Sequence, residues 1–419
     1  MDYENVLAEV EKNRDFLLDT LRRMIQVNTS NPPGMNYDKL ADVTEPILKS
    51  FGFKTERVVV PLEKVLITKL PLKGDRVNLV AKKELGLPPV SVYAHMDVVP
   101  AEGKWTHDPF GGEVSDGKIW GRGSLDMKGE AVCLLTALKV MNDLNIKPVF
   151  DINVLFCTDE EIGMYPGVYY LAQKGYVKGH VMWLETGSQE PTQAGSAAGA
   201  LDTEITITGK SAHSGRNWNG INAIEEAIPI LDELYAVKKI IQSRQSTDKC
   251  RTTDKGPVPL TGLFNIDIIH AGVKSNIVPD TCQIITNRRY LAEEKYEDVQ
   301  KEINDAIARG RKKSKALDVK VEHRLLYKPV VIDTTTPYAV RARKIRAMVH
   351  GWDPDKFTVV AGSGSIDMGF AMEPTGITGV ASFGSRRTYN TTGHGVDEYC
   401  DIAELINLSK EILLYLTMP

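Results

Sequence analysis

The chain has 419 residues, 42% of them hydrophobic and 25% charged, with a formal net charge of −4. That length exceeds one ordinary domain and predicts two, one inserted in the other. A mildly acidic balance gives no electrostatic reason to expect nucleic acid or an anionic membrane as partner. No stretch approaches the roughly 18–20 uncharged apolar residues that span a bilayer, and the charged start MDYENVLAEVEKNRDFL does not read as a secretory signal. The five cysteines (Cys133, Cys157, Cys250, Cys282, Cys400) are scattered and form no CxxC. They fit reduced thiols in a cytoplasmic protein and argue against both a disulfide framework and a thiolate zinc site, so any metal must be held by His and carboxylates.

Apolar residues at helical spacing predict a helix over 3–27, stopped by the turn-forming NTSNPPG. A helix over 38–51, strands over 77–81 and 90–94, and a helix over 128–144 follow. Next come a strand over 150–157, a helix over 168–174 and a strand over 180–184. This alternation predicts an α/β class with a doubly wound, mainly parallel sheet. From about residue 201 the rhythm changes to a strand over 203–208, a helix over 221–241, strands over 263–270 and 281–290, a helix over 294–309 and a strand over 319–325. That β-α-β-β-α-β order is a ferredoxin-like (α+β) unit that closes on itself, with the polar stretch 243–256 as a surface loop. The expectation is a catalytic domain over 1–200 and 326–419 with an inserted domain over 201–325, the chain ending in an amphipathic helix over 402–416. The basic run 309–315 reads as a solvated helix end.

Several apolar runs end in a residue able to bind metal: VSVYAH at His95, INVLFCTDEE at Glu160 and Glu161, and HVMWLE at Glu185. In open α/β sheets the ligand site lies outside the carboxyl ends of the strands, so these residues should converge. Buried carboxylates are costly without a cation, and a dication resolves that cost. In His95-Met-Asp97 the Asp can take the second ring N–H of a metal-bound imidazole; the alternative is a structural His–Asp hydrogen bond. Asp126, among the glycines of GRGSLDMKG, could bridge two cations with its two oxygens or simply cap the following helix. If both were free, Glu160 and Glu161 would raise each other's pKa. One as ligand and one as general base explains the pair better than an exposed acidic loop. Glu185 offers the second cation a carboxylate, and His394, in the Gly-rich turn TTGHGVDEY, is placed as a late ligand. His107 in WTHDPF reads as packing beside the site. One His and two carboxylates per ion make an N/O set for two divalent metal ions, Zn²⁺ first, with Mn²⁺ or Co²⁺ possible and a mononuclear variant open.

With these residues in place the sequence resembles the M20 metallopeptidase and amidohydrolase family, which includes acetylornithine deacetylase, succinyl-diaminopimelate desuccinylase, aminoacylases and carboxypeptidase G. The matching stretches NTSNPPG, YAHMDVVP, WTHDPFGG, DGKIWGRGSLDMKG, CTDEEIG, GKSAHSG, KSNIVPD and GHGVDEY run in the family order. The resemblance implies that His95, Asp126 and Glu185 hold one metal and Asp126, Glu161 and His394 the other. Glu160 would be the general base and Asp97 the partner of His95. The inserted domain would be the family's lid, which often mediates dimers, and His213 would reach a partner subunit's active site to stabilise the developing oxyanion. Asn276 and Arg289 match lid positions that contact a substrate carboxylate, and Gly364 belongs with them on the substrate side. The implied activity is hydrolysis of a C–N bond in a small carboxylate-bearing substrate such as an N-acyl amino acid. Dipeptidase or carboxypeptidase action, or an unusual bond such as an aryl amine, are the alternatives. A non-catalytic binding protein is disfavoured because every ligand and the base are present. LETGSQEPTQAGSAAGA lacks the family's Lys-Gly pair, AGSGSIDMGF replaces its Gly-Gly-Thr-Asp-type loop, and Arg386 and Arg387 could meet an anionic substrate. These substrate-side departures put acetylornithine and succinyl-diaminopimelate themselves in doubt.

Overall fold

The computed structural model describes residues 3–187, 190–253, 256–362, 364–385 and 392–419. It divides into two compact units, the first made of Met1–Gly195, Ile332–Val360 and Asp367–Pro419 and the second of Ser196–Val331 and Ala361–Ile366. Among the described residues no helix is long and apolar enough to cross a membrane.

The first unit is built on a six-stranded sheet in the order Lys54–Val60, Arg76–Lys83, Asp151–Cys157, Pro89–His95, His180–Trp183, Val380–Ser382. The last four strands run parallel; the first two pair antiparallel. Val90, Val92, Tyr93 and Ala94, like Ile152, Val154, Leu155 and Phe156, are buried, as strands covered on both faces must be. The edge strand Lys54–Val60, absent from the sequence reading, buries only Val58 and Val60. Helix Lys128–Asp143 is buried along most of its length and packs against Arg14–Gln26 and Ile402–Thr417. The single helix expected over 3–27 is two, Tyr3–Lys12 and Arg14–Gln26. The junction is at Asn13, whose ψ of 14° leaves the helical region and whose side-chain Nδ2 donates to the Glu9 carbonyl at 3.0 Å alongside its own N–H.

In the second unit, strands Gly199–Thr208, Leu263–Ala271, Thr281–Tyr290 and Asp318–Tyr327 and helices Ala223–Ser243 and Tyr296–Arg311 follow the β-α-β-β-α-β order. The sheet order is 263–271, 281–290, 199–208, 318–327, all neighbours antiparallel. Alternation on the strand Gly199–Thr208 sends Leu201, Ile205 and Ile207 into a core with Ile230, Leu234, Ile303 and Ile307 of the two helices. The polar stretch 243–256 is not the expected loop, because Gln245–Thr253 pairs antiparallel with Gly256–Thr261. The Glu293 carboxylate accepts the Thr247 N–H and the Ser246 and Thr247 hydroxyls at 2.7–3.0 Å. Ladder pairing and one carboxylate satisfy a segment too polar to be recognised by its pattern.

Candidate active site

The three adjacent parallel strands deliver their cargo to one edge of the first unit. His95 ends the middle strand in register with Cys157 and is fully buried. Beyond Cys157 the chain turns at Asp159, whose φ of +63° is left-handed. Glu160 and Glu161 therefore sit on a turn past the strand. Glu185 stands two residues past the end of His180–Trp183. Asp126 comes from the loop before helix Lys128–Asp143, where Gly123 has φ +84°. A Cβ on Gly129 would lie 2.1 Å from the Ser124 carbonyl oxygen, so the helix can start against this loop only with glycine there. His394 occupies a turn closed by the Gly395 N–H on the Thr392 carbonyl at 2.8 Å.

These residues meet in two overlapping groups. His95, Asp126 and Glu185 bring ligand atoms within 4.8 Å of one another, and so do Asp126, Glu161 and His394. Glu160 forms a third such group with His95 and Glu161. Asp126 belongs to both of the first two: Oδ1 is 3.2 Å from His95 Nε2 and Oδ2 is 3.4 Å from His394 Nε2. His394 Nε2 is also 3.2 Å from Glu161 Oε2. Burial pushes the Glu160 and Glu161 carboxyls up, the neighbouring imidazoles opposing. Hydrogen bonds to Asp126 and Glu161 push His394 up to about 10. Glu161 Oε1 is buried without a hydrogen-bond partner. An orphaned carboxylate oxygen beside crowded acids, the buried His95 and the exposed His394 is a donor set that divalent cations satisfy, so the residues fit a metal pair.

Asp97 serves the site differently from the expected imidazole pairing. His95 Nδ1 lies 3.1 Å from the Asp97 backbone carbonyl and 3.7 Å from its carboxylate Oδ1. The carbonyl therefore orients the ring. The carboxylate instead accepts the backbone N–H groups of Glu160 at 3.2 Å and Glu161 at 3.0 Å, fixing the turn that carries both glutamates. Asn31 Nδ2 donates to Asp97 at 3.2 Å and to Asp159 at 2.8 Å. Tyr37 donates its hydroxyl to Asp159 at 3.2 Å and Arg76 Nε lies 3.4 Å from the same carboxylate. Burial, then the Asp97 charge, push Asp159 up to about 7 against the pull of Arg76. Asp367, which accepts the Tyr93 hydroxyl at 2.7 Å, is likewise pushed up to about 7 by burial. Asn31, Tyr37, Arg76, Asp159 and Asp367 were not singled out from sequence. Asn31 lies in NTSNPPG, read as a turn and as a family stretch, Asp159 in CTDEEIG and Asp367 in AGSGSIDMGF, but none of the three was assigned a role.

In the second unit His213 is exposed and ends the short strand Ala212–His213, paired with Ile277–Val278. Its Nδ1 accepts the Gly215 N–H at 3.0 Å. Asn276 is its neighbour, taking the Ser214 N–H on its backbone carbonyl at 3.0 Å. Arg289 is not brought to them: it lies eight residues along the strand from Thr281, about 26 Å at the usual strand rise, with Nε donating to Asn287 at 3.2 Å. Gly364 is exposed, and a Cβ there would meet nothing within 4 Å. Arg386 and Arg387 lie outside the described residues. In the first unit His107 stacks on Trp120 with ring centroids 4.1 Å apart, its Nδ1 2.9 Å from Glu113.

Residues 91–417 match the family model of peptidase family M20/M25/M40. A succinyl-diaminopimelate desuccinylase of Hahella chejuensis is 29% identical over 359 residues, 82% of this chain and 85% of that one. Among solved structures, a dipeptidase from Saccharomyces cerevisiae superposes with a TM-score of 0.78 at 16% identity, covering 99% of this chain and 98% of that one. A dinuclear metal-binding M20 peptidase of Bacillus subtilis gives a TM-score of 0.62 at 14% identity over 97% and 100%. These two structures share the fold.

Proposed function

The chain belongs to peptidase family M20/M25/M40 and is a hydrolase of C–N bonds, and on that premise we propose that it is a two-metal enzyme releasing an amine from a small, carboxylate-bearing N-acyl substrate. The observation that carries this reading is Asp126, which presents one oxygen to each histidine. His95, Asp126 and Glu185 would hold one ion and Asp126, Glu161 and His394 the other, Zn²⁺ first, with Mn²⁺ or Co²⁺ as alternatives. When bound, such a pair supplies an acidified water and a polarised scissile carbonyl. Glu160 takes the proton of the nucleophile and returns it to the leaving nitrogen. Its burial holds the carboxyl up, which makes it a stronger proton acceptor than an exposed glutamate. Asp97, through the backbone N–H groups of Glu160 and Glu161, keeps base and ligand in place. His213 stabilises the oxyanion, and Asn276, Arg289 and Gly364 are the candidate substrate contacts, Asn276 beside His213 and Arg289 too far along its strand to share that contact within one copy of the unit.

The second unit offers a surface for a second copy of the chain, which the His213 role requires. Strand Leu263–Ala271 is a sheet edge and exposes Ile268 and Ile269, while helix Ala223–Ser243 exposes Ile224 and Ile228. Apolar residues on an unpaired edge favour association, so we read the enzyme as a homodimer through this unit. The buried free thiols of Cys133, Cys157, Cys282 and Cys400 support a reducing, cytoplasmic setting. The succinyl-diaminopimelate desuccinylase relatives put N-succinyl amino acids first in the panel, with N-acetyl amino acids beside them. Dipeptides and aryl amines complete the test panel. Turnover of dipeptides alone would replace the acylase reading with the peptidase one.

One pH dependence follows from the ligand geometry. Its bonds to Asp126 and Glu161 raise His394 to about 10, so the metal-free protein carries this proton at neutral pH. A ligating imidazole must be neutral, so metal loading expels the proton. The apparent affinity of this cluster should therefore rise with pH, about tenfold per unit from about pH 6 to 9. Calorimetric Zn²⁺ titrations in buffers of different ionisation enthalpy count the proton. No release on loading would remove His394 from the ligand set.

A further inference from the structure

Two loops far apart in sequence supply Asp126 and His394, and one buried ion pair joins them. Arg122 is 2% exposed and Glu398 0%, and Arg122 Nη1 pairs with Glu398 Oε2. The other Glu398 oxygen, Oε1, accepts three backbone N–H groups: Gly123 at 2.9 Å, Leu125 at 3.0 Å and Asp126 at 3.2 Å. On the other side, Arg122 Nη2 donates to the carbonyls of His394 at 3.2 Å and Gly395 at 3.0 Å. The Gly121 N–H closes the arrangement on the Glu398 carbonyl at 2.8 Å. The carboxylate thus gathers the Asp126 loop and the guanidinium gathers the His394 turn. Buried ion pairs contribute little net stability compared with apolar packing, and this one is spent on holding two ligand-bearing loops in register.

We infer that Arg122 and Glu398 are positioning residues that fix His394 against Asp126 and so set the divalent-cation affinity of the Asp126–Glu161–His394 cluster. The inference rests on the metal reading above. His95 and Glu185 come from strand ends that the pair does not touch; Asp126 is common to both clusters, while His394 belongs only to the second and is held by Arg122, so the loss falls mainly on the second cluster. Glu398→Gln keeps an acceptor for the backbone N–H groups but loses the charge on Arg122, while Arg122→Lys keeps the charge but loses the fork that reaches both loops.

The test is a Zn²⁺ titration of metal-stripped protein against a chromophoric chelator, for the unmodified chain and both variants, alongside thermal unfolding of the metal-free forms. One of the two dissociation constants should rise about 10–100-fold in each variant while the other rises clearly less. Unchanged constants, or both rising together with a lowered metal-free melting temperature, would overturn the inference in favour of a merely structural pair. Failure of both variants to fold would do the same. An unmodified chain that binds no Zn²⁺ would instead sink the metal reading itself.

Discussion

Replacing Glu160 with glutamine should lower kcat by about 10²–10⁴-fold with metal content unchanged. The amide has the same shape and leaves the Glu160 N–H on Asp97 intact, but it cannot accept the nucleophile's proton. Neither of the proposed ligand sets includes Glu160, so elemental analysis of the variant should match the unmodified protein. Its single-turnover rate on an N-acyl amino acid is the measurement to make. A rate equal to that of the unmodified enzyme would remove Glu160 as base. Loss of metal together with activity would make it a ligand instead, an assignment that its grouping with His95 and Glu161 makes worth checking.

The second large effect is expected at His213. Removing one oxyanion donor typically costs about 10²–10³ in kcat, so His213→Ala should slow turnover by that order without altering metal content. His213 is exposed, consistent with a group that acts outside its own unit. If it acts across a dimer, Ile269→Lys on the exposed sheet edge should yield monomers in sedimentation analysis and a comparable loss of rate. Fully active monomers would contradict action in trans, and a fully active His213→Ala protein would contradict the oxyanion role altogether.

The strand-borne part of the site was legible because two physical patterns coincide there. Continuous apolar runs such as VSVYAH and INVLFC mark doubly covered parallel strands, and the chemistry follows at their carboxyl ends. The ferredoxin-like unit was legible from its change of periodicity, and its strand alternation survives in the buried Leu201, Ile205 and Ile207. What escaped was decided by contacts distant in sequence. Asp97 looked like the imidazole's partner because H-x-D spacing allows it. The structure spends its carboxylate on the Glu160 and Glu161 N–H groups, a use visible only once the turn at Asp159 is formed. Arg76, Tyr37 and Asn31 converge on Asp159 across 83, 122 and 128 residues of chain, respectively, and no local pattern announces them. Asn13 was unreadable for a smaller reason: apolar periodicity continues through it, and only a local change of backbone angle at that residue divides the two helices.

The central claim is that two divalent ions sit between His95, Asp126, Glu185, Glu161 and His394. Elemental analysis of protein purified without chelator, paired with activity before and after chelation, tests it most directly. Close to two divalent ions per chain, with activity lost on chelation and regained on adding Zn²⁺, Mn²⁺ or Co²⁺, is the result predicted here. A chain that carries no metal and gains no activity from any of the three would contradict it.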